Sequence, residues 1–171
     1  MYEATSSGSN LRSQTSVFLT RSAADRLAVY IVSMIDCEDD PRTVLRWARH
    51  ANASSSTIRE HCRLVQIKAH NARDLGRLLR AICRSGRTWL PESVLDCADL
   101  RTLNKLMELG GLTGRRGKLA PSIREFLDGQ RWIPQNHPEL LALRTLLLQL
   151  RLSNWEYDTA VATFAGASAR P

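Results

Sequence analysis

The stretch Thr43–Leu64, TVLRWARHANASSSTIREHCRL, constrains the fold of this chain more than any other. Val44, Leu45, Ala48 and Ala51 recur at the three- and four-residue spacing of one buried helical face. That spacing predicts a helix over Val44–Ala51, with Arg46, Arg49 and His50 turned outward. Asn52-Ala53-Ser54 then makes a corner, because Asn tolerates the left-handed conformation that a sharp turn needs. Ser54 offers its hydroxyl to an orphan amide of the next helix. This second helix is predicted over Ser55–Val65, with Ile58, Cys62 and Val65 inward. Its outer face carries Ser55, Ser56, Thr57, Arg59, Glu60 and Arg63. A small residue at Ala48 suits two helices that cross closely at a short turn, so the segment reads as a helix-turn-helix.

The order Ala48, Ser54, Ile58, Cys62 resembles the first helix-turn-helix of AraC-type transcription regulators, and KAHNARDLGRLLRAI resembles the linker helix that follows it there. The likeness covers about residues 43–84. It implies a DNA-binding role, with the second helix of the pair as the reading element.

Charge points the same way. The net charge is +7, and between Pro41 and Leu90 eleven Lys and Arg stand against only Glu60 and Asp74. A basic segment beside phosphates gains affinity by displacing condensed counterions, which favours double-stranded DNA as the partner. In the major groove, Ser55, Ser56, Thr57, Arg59, Glu60 and Arg63 are the candidates for base readout: Arg suits the paired acceptors of guanine, Glu accepts from cytosine, and Ser or Thr reads more loosely. Arg42, Arg46, Arg49, Asn52, Lys68 and Arg73 are the candidates for phosphate contact.

The other segments are read as support for this unit. Residues 1–20 are rich in Ser and Thr and predict a flexible leader. From Ser22, AADRLAVYIVSMID predicts a helix with Leu27, Tyr30, Ile31, Met34 and Ile35 on one face, packed under the pair. Glu38, Asp39 and Asp40 with Pro41 are expected to end it and to start the next helix, carboxylates favouring the positive end of the helix dipole. Asn71–Arg84 predicts an amphipathic helix that buries Leu75, Leu78, Leu79 and Ile82, with Arg73, Arg77, Arg80 and Arg84 as an outer basic ridge for phosphate contact or solubility. Residues 21–90 thus form the expected DNA-binding unit.

Residues 91–156 are expected to form a helical C-terminal subdomain. A short helix from Pro91 to about Cys97 precedes LRTLNKLMELGG, which Asp99 caps and Gly110 ends, with Leu100, Leu103, Leu106, Met107 and Leu109 inward. A degenerate second helix-turn-helix is one reading of this pair. In LTGRRGKL, Gly114 and Gly117 bracket Arg115 and Arg116, with Lys118 beyond; a small β-hairpin wing gripping phosphate and a plain charged loop both fit. Pro121–Ile133 starts a helix that buries Ile123, Phe126 and Leu127. Asn136 or His137 opens PELLALRTLLLQLRL, where leucines from Leu140 to Leu152 lie on several faces. Such a helix is either the centre of a core or the seam of a homodimer, the second fitting readers of two half-sites. Residues 157–171 read as a flexible tail.

The chain carries no Gly-rich phosphate loop, no His-Glu-x-x-His and no nucleophile elbow, so no enzyme, metal or cofactor chemistry is expected. Cys37, Cys62, Cys83 and Cys97 lack zinc spacing and read as small hydrophobes, and His50, His61, His70 and His137 as ordinary polar positions. No run reaches the roughly 18–20 apolar residues of a membrane span, and the polar N-terminus lacks a signal-peptide pattern, so the expected location is the cytoplasm. The expectation is an all-α helix-turn-helix bundle that regulates transcription. The alternative is a helical protein-protein adaptor that uses the leucine-rich helix and a basic face.

Overall fold

The computed structural model describes residues 22–150. The expected leader at 1–20, the tail at 157–171 and Leu152 lie outside the described residues. Among the described residues the chain is all-helical, with no sheet. No helix there is long and apolar enough to cross a membrane.

Helix α1 spans residues 22–32 and tightens into a 3-10 turn, Ser33–Asp36. Of the expected face, Leu27, Ile31 and Met34 are buried and Tyr30 and Ile35 partly so, and Ala23, Ala24 and Ala28 join them in the core. Helices α2 (Val44–His50) and α3 (Ser55–Leu64) follow, joined by four residues. Next comes α4 (Ala69–Arg84), the longest helix among the described residues, with nine consecutive or near-consecutive residues from Ala72 to Ile82 buried. It packs against the Ser33–Asp36 turn, α2, α3 and α6 (Ile123–Gly129) and is the centre of the fold. Gly76 permits the close approach to that turn: a Cβ there would lie 2.6 Å from Met34 Sδ. After α4, α5 spans Leu100–Leu109, and α7 spans Pro138–Gln149.

The helix ends are set by local chemistry. Thr43, Ser54, Asp99 and Ser122 cap α2, α3, α5 and α6 with their side chains, and Ser122 with Glu125 forms a reciprocal capping box. At the other ends, three helices close with the same hydrogen-bond pattern: Ala53 N–H donates to Ala48 O, Ile67 N–H to Cys62 O and Leu112 N–H to Met107 O. Each closure passes through one residue of positive φ, namely Asn52 at 51°, Gln66 at 59° and Gly111 at 69°. A buried Gln130 organises the turn before α7, accepting from Trp132 N–H and Ile133 N–H and donating to Ile133 O.

Several expectations are corrected. The basic ridge on α4 is absent, because Arg77 and Arg80 are 5% and 3% exposed. Arg80 donates to the carbonyls of Cys37, Glu38 and Val94, and Arg84 to that of Cys37. Burial lowers the pKa of Arg80, with Arg84 adding to the effect. Asp40 and Pro41 do not start α2: Thr43 caps it, and Asp40 is drawn inward to Arg77. On α2, Leu45 is 52% exposed, and the buried position belongs to Trp47, whose Nε1 donates to Tyr30 O at 2.7 Å. Leu100, expected inward on α5, is likewise exposed.

Past Pro91 only one 3-10 turn forms, Pro91–Ser93, in place of a helix to Cys97. The backbone groups that would continue it are engaged elsewhere: Val94 O with Arg80, and Asp96 N–H and O with Asp40 and Arg77. The loop at 112–119 forms no hairpin wing. Its return limb pairs with residues 87–89, where Trp89 N–H donates to Lys118 O and Gly117 N–H to Trp89 O, because the partner in register is the strand-like exit from α4. On α7, Leu140, Leu143 and Leu147 are buried while Leu141 and Leu148 are exposed on another side; Leu150, just past its end, is exposed too. One face enters the core and the other is bare.

Candidate nucleic-acid interface

The α2–turn–α3 unit is held from beneath. Ala48, Ile58, Cys62 and Val65 are each 2% exposed or less, and Trp47 is anchored on Tyr30. Ala48 meets the turn through its carbonyl, which accepts from Ala53 N–H at 2.9 Å. His61 is fixed on the flank of α3: its Nδ1 lies 2.8 Å from Thr57 O and its ring meets Tyr30 edge-on at 5.6 Å. The outer face of α3 is therefore presented by a closely packed support.

On that face the six candidate readers do not stand alike. Ser56 and Arg59 are exposed, and Arg59 Nη1 reaches back to Ser55 Oγ at 3.3 Å. Thr57 belongs to the cap: Ser54 Oγ accepts from its N–H at 3.0 Å and the two hydroxyls lie 2.8 Å apart. Glu60 and Arg63 grip each other one turn apart, through Nε–Oε2 at 2.8 Å and Nη2–Oε1 at 2.7 Å. Arg63, hydrogen-bonded to Glu60, holds that carboxyl below its usual range and is itself raised in return. Both side chains are more than half exposed, so water competes for the pair and it opens at small cost.

The phosphate candidates divide into free and engaged cations. Arg46, Arg49 and Lys68 are exposed, and none has a carboxylate partner among the described residues. Asn52 is exposed at the turn between α2 and α3. Arg42 meets Asp96 at 3.1 Å in an exposed pair. Arg73 is half-buried and bound to Asp74, with Nη2–Oδ1 at 2.7 Å. In the 112–119 loop, Arg115 pairs with Glu125 at 3.1 Å and Arg116 with Glu92 at 2.6 Å, while Lys118 is exposed. The fold thus gathers Arg46, Arg49, Asn52, Arg59 and Lys68 on or beside one unit and assigns Arg73, Arg115 and Arg116 protein partners.

Trp47 and His61 are the positioning residues that spacing alone did not single out, whereas their common partner Tyr30 was expected on the face packed under the pair. Trp47 was legible, since Val44, Trp47, Ala48 and Ala51 form a tighter helical stripe than one that includes Leu45. Nothing local marked His61 as a flank contact, because its partner Tyr30 comes from another helix. No three His, Cys, Asp or Glu side chains gather as a metal site among the described residues. No protein-family model, no curated protein and no solved structure matches the chain.

Proposed function

We propose that this protein is a sequence-specific DNA-binding transcription regulator that reads the major groove through α3. One observation carries the reading: the exposed cations of the α2–α3 unit, Arg46, Arg49, Arg59 and Lys68, have no carboxylate partner among the described residues, whereas the arginines of α4 are turned onto protein acceptors. Free cations clustered on a closely packed two-helix unit supply the counterion-release term that phosphate binding needs. In this reading Arg59, Ser55 and Ser56 face base edges first, since the N-terminal part of a recognition helix enters deepest. Glu60 and Arg63 join once their mutual pair opens, and Thr57 stays with the cap. Arg46, Arg49, Asn52 and Lys68 hold phosphates, with Arg42 released from Asp96. The AraC-type kinship and a cytoplasmic location belong to the same proposal.

Leu141 and Leu148, at 52% and 71% exposure, are part of it too. A bare leucine face on α7 suits a homodimer that spans two half-sites. The same face favours the second reading, a helical adaptor that binds a protein partner without specific DNA recognition.

Selection from a randomised duplex pool, with wild type and Arg59→Ala in parallel, separates the two. An enriched motif that fades in the variant supports readout through α3, and a palindromic motif supports the dimer. Retention without enrichment, or no retention at moderate salt, overturns specific readout and leaves the adaptor.

A further inference from the structure

A groove on the outer side of α5 takes no part in that reading. Its volume is about 840 Å3, within the ~300–1,000 Å3 of pockets that hold small organic molecules. The floor is apolar: Leu103, Met107 and Leu112 are 4%, 7% and 2% exposed. The rim is basic. Arg101 and Lys105 stand one turn apart on α5, both exposed and both without a carboxylate partner among the described residues. Arg116 joins them from the loop that forms the facing wall.

We propose that this groove binds an organic monocarboxylate with an apolar body. The apolar floor requires hydrocarbon, because a polar ligand would lose water there without gaining partners. The unpaired Arg101 and Lys105 require an anionic head, and a guanidinium fork matches a carboxylate in two parallel hydrogen bonds. Glu108 is the only carboxylate in the lining, against three cations. With Arg116 paired to Glu92, Arg101 and Lys105 stand against Glu108, a net single positive charge that accepts a monoanion and disfavours a more highly charged head. Arg116 is held by Glu92 in a pair exposed enough to exchange partners, so a bound carboxylate can recruit it as a third contact. Asn104 adds a neutral donor at the rim.

The test is an amide-resolved NMR titration of the full chain with 4-phenylbutyrate and with its neutral counterpart 4-phenylbutan-1-ol. It uses wild type, the double variant Arg101→Glu/Lys105→Glu, and the charge-matched control Arg124→Glu/Arg131→Glu, whose changes lie on exposed positions outside the groove. The spectra report folding of each variant directly. The expected result is saturable shifts at 101–108 and 112–116 with the carboxylate, and weaker binding of the alcohol. The double reversal should weaken the acid by about tenfold or more, the scale of a lost charge-assisted hydrogen bond, and the control should not. No saturable shift in the groove, equal affinity for acid and alcohol, or an equal loss in the control would each overturn the assignment.

Discussion

Arg77 holds Asp40 in a buried two-pronged ion pair, Nε to Oδ1 at 2.9 Å and Nη2 to Oδ2 at 2.6 Å, with the two side chains 7% and 2% exposed. Asp40 also accepts from Asp96 N–H at 2.8 Å, and Arg77 Nη2 donates to Asp96 O. The pair therefore ties α4 to both the segment before α2 and the segment before α5. Burial opposes the charge on Arg77, but the hydrogen bonds and charge of Asp40 outweigh it and raise the pKa above the ordinary arginine value.

Removing one partner should strand the other charge in the interior. Asp40→Asn and Arg77→Met are each expected to cost about 3–5 kcal/mol, while Asp40→Leu/Arg77→Met together should recover much of that loss. Urea denaturation measures all of them. Single losses under about 1 kcal/mol would mean that water reaches the pair and that it does not organise the interior.

Gln66 sits at φ 59°, where an L side chain crowds its own backbone, and it closes α3 before α4 begins. Gly carries no such penalty. Gln66→Gly should therefore stabilise the protein by about 0.5–1 kcal/mol, with Gln66→Ala giving no gain. Asn52→Gly, at the equivalent position after α2, should change little, because Asn already tolerates this region. Calorimetric melting of the three variants checks the ranking, and a gain for Gln66→Ala equal to that for Gly would remove the backbone explanation.

Glu139 on α7 is wholly buried, and neither carboxylate oxygen has a hydrogen-bond partner among the described residues. Burial, with the carboxylate of Asp25 adding to it, pushes its pKa up from 4.5 to about 9. The folded chain then keeps a proton that the unfolded chain releases near 4.5. Stability from this group is complete below that value and falls as pH rises, by about 1.4 kcal/mol per unit, until the folded carboxyl itself ionises. Glu60, Glu92, Asp99 and Glu125 are shifted downward, so their contributions are lost only at acid pH and leave the range 5–8 clear. Urea midpoints at pH 5, 6, 7 and 8 should fall in the wild type relative to Glu139→Leu. Parallel lines for the two proteins would show that the carboxyl is solvated.

What could be read from the sequence was local. Ser54 and Asp99 announce helix starts because their hydroxyl and carboxylate serve amides three residues on, within the same stretch. The left-handed Asn52 and the stripe Leu75, Leu78, Leu79, Ile82 are equally self-contained. Arg77 and Arg80 were misplaced because their surroundings are made by residues far along the chain, Asp40 at 37 positions and Cys37 at 43. An arginine at helical spacing looks the same whether water or a buried carboxylate awaits it. Within the candidate interface, spacing found the outer face of α3, but not that Thr57 is held by its cap or that Glu60 and Arg63 neutralise each other. Those are choices among side-chain partners, to which helical periodicity is blind.

Arg46 and Arg59 differ in what DNA they would meet, and the difference can be measured. Arg59 stands on the outer face of α3, held among the described residues by a 3.3 Å contact to Ser55, so its guanidinium can exchange that hydroxyl for guanine acceptors. Arg59→Ala should cost about 1–3 kcal/mol on the selected site and far less on unrelated duplex, flattening the preference at one base position. Arg46 projects from the first turn of α2, with its backbone N–H taken by Thr43 and its side chain exposed, a position suited to phosphate. Arg46→Ala should weaken every duplex alike and reduce the slope of log affinity against log salt by about 0.9, the release from one phosphate. Anisotropy titrations of both variants at several salt concentrations, on the selected site and on a scrambled duplex, give the four numbers needed. If Arg46→Ala discriminated between the duplexes while Arg59→Ala lowered both equally, α2 rather than α3 would be the reading helix.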